Sequence, residues 1–221
     1  MPFCVRCLLA AFAGSYVISI MVFACTAQPT PASVVNATEM APAGVPANEV
    51  IIWASDMSVA SLDEIDFIDD SASPGGKLIG LPNSADELNP PPESDPHATF
   101  EVQVQKGIPY RCWIHMRVGE PKGRSTANIV YVQFSKSVNG ANQEIFRLST
   151  NSYLSARGPA QPGWAWVGCD AQEGESLVYF ESDGHTNVRI QAGAEGVGFD
   201  QLLLSPAKSL SSPPSEAVIA K

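Results

Sequence analysis

The sequence predicts an all-β fold, an antiparallel sandwich or barrel, on three observations. Between residues 49 and 205 apolar side chains mostly alternate with polar ones instead of recurring every three or four positions, which is the period of strands. Turn formers separate these runs, as at Gly119-Glu120-Pro121-Lys122-Gly123, Asn139-Gly140 and Asp183-Gly184. Many short strands without a convincing helical repeat are the pattern of sandwiches and barrels.

In order along the chain, residues 50–54 supply a first strand. Asp63, Glu64, Asp66, Asp69 and Asp70 read as a solvated acidic segment, and the proline-rich stretch 71–98 as a loop wrapping the outside. Phe100, Val102 and Val104 then alternate with Glu101, Gln103 and Gln105. Tyr110, Cys112, Ile114 and Met116 share one side of the next strand, while Arg111, Trp113, His115 and Arg117 share the other. Val130, Val132 and Phe134 alternate with Ile129, Tyr131, Gln133 and Ser135, and further strands are expected over 144–148, 177–181, 187–191 and 199–204.

The flanks have a different character. After Arg6 the chain is apolar from Leu8 to Ala24 apart from Gly14, Ser15 and Ser19, which is the layout of an export signal over residues 1–24. Val22-Phe23-Ala24-Cys25 resembles the bacterial lipoprotein box, with Phe23 standing where a small residue is usual. The resemblance implies lipidation of Cys25 and an exported, membrane-anchored protein of the cell envelope. An ordinary cleaved signal, giving a periplasmic or secreted protein, and a retained anchor are the alternatives. Residues 25–48, rich in Ala, Pro, Thr and Val, read as a flexible tether. Residues 206–221, with Ser211-Ser212-Pro213-Pro214-Ser215, read as a disordered tail, leaving 49–205 as one domain.

The net charge is −10, and it becomes −11 once Arg6 is lost with the signal. Such a chain repels phosphate backbones and has no Lys/Arg stripe, so nucleic acid is excluded as a partner. Of the five cysteines, Cys4 and Cys7 lie in the signal and Cys25 in the lipobox. Cys112 and Cys169 remain, either as one disulfide or as two buried thiols, and neither belongs to a CxxC pair.

Three stretches in order carry a wider resemblance: Ile51-Ile52-Trp53-Ala54-Ser55-Asp56, Tyr110-Arg111-Cys112-Trp113-Ile114-His115-Met116-Arg117, and Gly198-Phe199-Asp200-Gln201-Leu202-Leu203-Leu204-Ser205. Between the last two stand Val130-Tyr131-Val132-Gln133-Phe134-Ser135, Gly163-Trp164-Ala165-Trp166 and Val178-Tyr179-Phe180. The series resembles the carbohydrate-binding modules of families 6 and 35 and the related malectin-like, galactose-binding-like domains. That resemblance implies a jelly-roll β-sandwich that binds a polysaccharide or glycan and catalyses nothing. It also implies a structural calcium held by an acid from the first strand and one from the last, here Asp56 and Asp200. The family's first strand often carries two acids where this chain has one.

Sugar recognition needs a flat apolar surface for the ring and a few polar groups for its hydroxyls. Two sets offer this. One is a loop-end set of Trp164 and Trp166, with Tyr153 and Arg157 before them. The other is a concave-sheet set of Trp113, His115, Arg117, Tyr131 and Gln133. In both cases the alternative is a second buried layer, with indoles supporting a loop in the first set and the 71–98 loop covering the second. Motifs for a serine hydrolase, a zinc protease or a nucleotide-binding loop are missing. Competing functions are a protein-interaction scaffold of the envelope, with unspecified protein partners, and a small glycan hydrolase.

Overall fold

The computed structural model describes residues 49–57, 66–80, 97–119, 128–193, 196–207 and 212–214. The expected signal, Cys25, the tether through residue 48 and most of the 206–221 tail lie outside the described residues.

The described strands are β1 (Val50–Trp53), β2 (Asp66–Asp69), β3 (Lys77–Gly80), β4 (His97–Val104), β5 (Tyr110–Val118), β6 (Ile129–Phe134) and β7 (Ser137–Val138). They continue as β8 (Leu154–Arg157), β9 (Gly163–Gly168), β10 (Asp170–Ala171), β11 (Leu177–Phe180), β12 (Gly184–Ala192) and β13 (Val197–Pro206). A single 3₁₀ turn, Ala54–Asp56, follows β1. The first sheet runs β2-β3-β13-β5-β11-β7, with β1 also on β13 and β9 also on β5; the second runs β10-β8-β6-β12-β4. Every strand pairing is antiparallel. From β4 onward the chain passes repeatedly between the sheets, as a jelly roll does.

The alternation read from the sequence decides what lies between the sheets. Tyr110, Cys112, Ile114, Met116 and Val118 of β5 pack with Leu202 and Leu204 of β13 against Val130, Val132 and Phe134 of β6 and Val188 and Ile190 of β12. Cys112 and Cys169 are both fully buried in this core as free thiols.

Four expectations need correction. The stretch 71–98 is not one long loop, because Lys77–Gly80 and the start of β4 are strand. Asp66–Asp69 is likewise a strand, paired with β3, since Phe67 turns toward the core while Ile68 beside it stays exposed. Its hairpin is closed by Ala72 N–H donating to Asp70 Oδ1 at 2.8 Å and by Gly76 at a φ of 74°. Residues 144–148 form only isolated bridges, because Phe146 takes a φ of 52° that no strand continues through. Trp164 and Trp166 stand in β9, a strand, and not on a loop.

Glu49, just before β1, accepts a hydrogen bond from Ser205 Oγ at 2.5 Å. Burial raises its pKa from the ordinary 4.5, and the Ser205 bond only partly offsets this. The folded state therefore holds the proton more tightly than the unfolded chain. The stability this confers is complete below about pH 4.5 and is lost as pH rises through the raised value. Glu49→Gln, which keeps the acceptor and removes the charge, is expected to melt higher than the parent at pH 7, with the gap closing toward pH 4. A gap independent of pH in paired thermal melts refutes this.

Candidate functional site

The chain's four tryptophans, Trp53, Trp113, Trp164 and Trp166, are all absent from the core between the sheets. Register places them on the outer side of the first sheet. Along β5, Trp113 stands opposite Leu203 on one neighbour and Gly168 on the other. His115 stands opposite Gln201 and Trp166, and Arg117 opposite Gly198 and Trp164. Trp53 joins them through its pairing with Gln201. Since β5 alternates, all of these residues point away from Ile114 and Met116.

His115 is the centre of the group. Its ring lies parallel to that of Trp164, at 4.7 Å between centroids and 10° between planes, and Trp166 approaches at 5.1 Å and 37°. Its Nδ1 donates to Asp200 Oδ1 at 2.6 Å, an assignment made because a carboxylate can only accept. His115 is 6% exposed and Asp200 1%. A β-bulge between Phe199 and Gln201 makes this bond available. Leu202 and Leu204 face the core, so unbroken alternation would send residue 200 the same way. The bulge adds a residue and releases Asp200 from the ladder. Asp200 Oδ2 and the indole nitrogens of Trp113 and Trp166 are buried with no partner among the described residues.

Around this centre the polar groups are fixed. The Arg111 guanidinium lies 5.0 Å from the Trp113 ring and 3.6 Å from Asp170. Arg117 donates to Asp70, which stands in the β2–β3 turn. Beside Arg117 a cleft of about 140 Å³ is lined by Ile68, Leu78, Gly80 and Gly198. Trp164 and Trp166 remain partly exposed. Because one side of the Trp164 indole is taken by His115, its exposure belongs to the opposite side and the edges.

The two expected sugar-binding sets are each divided. Trp113, His115 and Arg117 lie outside the first sheet, whereas Tyr131 and Gln133 lie outside the second, where β6 pairs with β8 and β12. Tyr153 and Arg157 belong with Tyr131: the two tyrosine rings meet edge-on at 4.7 Å, and Arg157 is opposite Ile129. Trp164 and Trp166 join His115 instead. Gln133 is committed to structure, with its amide nitrogen 2.9–3.0 Å from the carbonyls of Arg147, Thr150 and Ser152. Among the described residues the cover of this buried glutamine is thus the segment before β8. Tyr131 and Tyr153 are buried too, while Arg157 is exposed. Asp70 and Trp53 are additions to the expected residues, and a turn-forming acid beside a strand is the only trace of Asp70 in the sequence.

Asp56 is exposed in the 3₁₀ turn and Asp200 is turned to His115. Among the described residues no group of three or more His, Cys, Asp or Glu side chains could hold a metal ion.

Because Asp200 is fully enclosed, His115→Ala is expected to lower stability by about 3–5 kcal/mol, through the carboxylate left without its partner. His115→Ala combined with Asp200→Leu should recover much of that loss. A double-mutant cycle by chemical denaturation checks the coupling, and strictly additive effects would show that the pair contributes none.

No family model matches the chain, and no curated protein matches it. Solved structures do. The C-terminal CBM6 of LamC, a marine laminarinase from Zobellia galactanivorans, aligns at 12% identity and a TM-score of 0.45 over 72% of this chain and 99% of its own. The carbohydrate-binding module CBM6cm-2 from Cellvibrio mixtus lichenase 5A, in complex with cellotriose, aligns at 12% and 0.44 over 70% and 95%. A family 35 carbohydrate-binding module from Clostridium thermocellum aligns at 13% and 0.40 over 70% and 98%. Likeness at this level assigns no ligand to this chain.

Proposed function

We propose that this sandwich is a non-catalytic carbohydrate-binding module whose stacking platform is Trp164 and Trp166. The observation that carries the proposal is the seating of two partly exposed indoles against a buried, carboxylate-anchored imidazole outside the core. A pyranose offers its C–H side to a flat aromatic surface, and a platform that is already rigid loses little side-chain entropy on binding. Neighbouring Arg117, held by Asp70, supplies donors for hydroxyls. The absence of catalysis is part of the proposal: the buried carboxylate is committed to His115, and indoles stack without transferring protons. Attachment to a membrane of the cell envelope through Cys25 is proposed with it, on the Val22-Phe23-Ala24-Cys25 sequence.

A polysaccharide and glycan panel tests the binding. Trp164→Ala is expected to weaken retention at least ~10-fold, equivalent to about 1.4 kcal/mol, while circular dichroism stays that of the parent. Binding is expected to persist in EDTA, since the platform is held by ring stacking and the His115–Asp200 bond. A folded parent that is retained by no glycan refutes the proposal and favours a protein-interaction domain. Retention untouched by Trp164→Ala and Trp166→Ala would place the sugar elsewhere. Cys25→Ser should remove the protein from the membrane fraction and abolish incorporation of labelled fatty acid.

A further inference from the structure

Cys112 and Cys169 were open in the sequence between a bridge and two separate thiols. In the structure they are neighbours across a strand pair. The β5–β9 register ends with Trp113 opposite Gly168, and the next residues along each chain are the two cysteines. Cys169 N–H donates to the Cys112 carbonyl at 2.9 Å, which carries the ladder one step further. Residues opposite one another in an antiparallel pair have Cα atoms about 4.5–5.5 Å apart, within the span a disulfide bridges. Opposite residues also point to the same side, and both cysteines belong to the core. The neighbouring Cys112 thiol and burial together hold the Cys169 thiol well above its ordinary range.

Position gives such a bond a consequence. Among the described strands β9 pairs only with β5, so it is an edge held by a single ladder. It carries both Trp164 and Trp166. We propose that Cys112 and Cys169 close into a disulfide as the chain folds in the presence of a disulfide oxidant, stapling the edge strand β9 to the central strand β5. The two S–H bonds break and an Sγ–Sγ bond forms. The two electrons and two protons reduce one molecule of oxidised glutathione, or an equivalent disulfide oxidant, to its two thiols. Timing follows from burial. Both cysteines are wholly enclosed in the folded chain, and a thiol whose pKa is raised is a poor source of thiolate. Exchange therefore belongs to folding, and the finished bond is closed to reductant until the sandwich opens.

The full chain is refolded in a mixture of oxidised and reduced glutathione, blocked with N-ethylmaleimide, and digested with trypsin for mass spectrometry. Cleavage after Arg111, Arg117, Arg157 and Arg189 puts the two cysteines on separate peptides, 112–117 and 158–189. The expected product is this pair joined and lighter by two hydrogens, together with a melting temperature roughly 10 °C above that of the chain refolded in dithiothreitol. A Cys112→Ala, Cys169→Ala double variant should show no such difference, which separates this pair from Cys4, Cys7 and Cys25. Maleimide on both peptides, or either cysteine joined to another partner, overturns the assignment. A joined pair with no rise in melting temperature overturns the staple. Neither readout involves a sugar, so the disulfide stands or falls apart from the binding function.

Discussion

Burial of β5 on both sides is the constraint on which the rest of the structure depends. One side contributes Tyr110, Cys112, Ile114, Met116 and Val118 to the core, and the other lays His115 beneath the tryptophans of β9 and Trp113 beneath the Arg111 guanidinium. A strand enclosed on both sides must satisfy whatever polar groups it buries. The imidazole of His115 meets that demand through Asp200, and Asp200 is within reach only because β13 bulges beside it. The order of β13, β5 and β9, the local irregularity of β13 and the pose of the indoles are parts of one arrangement.

That arrangement separates rigidity from exposure. Asp200 and His115 are enclosed, Trp164 and Trp166 are partly open, and the ring stack connects the two layers. A surface built this way presents flat apolar area without the entropy loss that loose side chains incur on binding. The outside of the second sheet is organised differently. Gln133 spends its amide on the carbonyls of the segment before β8, so polar residues there hold a covering chain in place. Similar alternating strands thus serve two ends, according to which sheet they enter.

The β2–β3 hairpin shows how an acidic stretch becomes part of the fold. Phe67 and Ile79 bury toward the core, and Asp70 is left at the turn to receive Arg117. Such a pair is partly exposed and contributes little to stability by itself. Its effect is to fix the direction of a long cationic side chain beside Trp164, which is the opposing neighbour of Arg117.

The sequence by itself determined the fold class and the sidedness of individual strands, because alternation is a local property: a period of two is visible wherever one side is buried. It therefore showed that Trp113, His115 and Arg117 share a side of β5, and that Tyr131 and Gln133 share a side of β6. Only the tertiary structure decided that these two sides look outward in opposite directions, since alternation carries no information on which sheet a strand joins. It also decided that Trp164 and Trp166, distant in sequence, complete the first group through the β5–β9 register. The His115–Asp200 bond was likewise hidden, because a one-residue bulge reverses the direction that alternation assigns to residue 200. Cys112 and Cys169 were visible as two cysteines, and their apposition across one ladder step exists only once β9 has found β5.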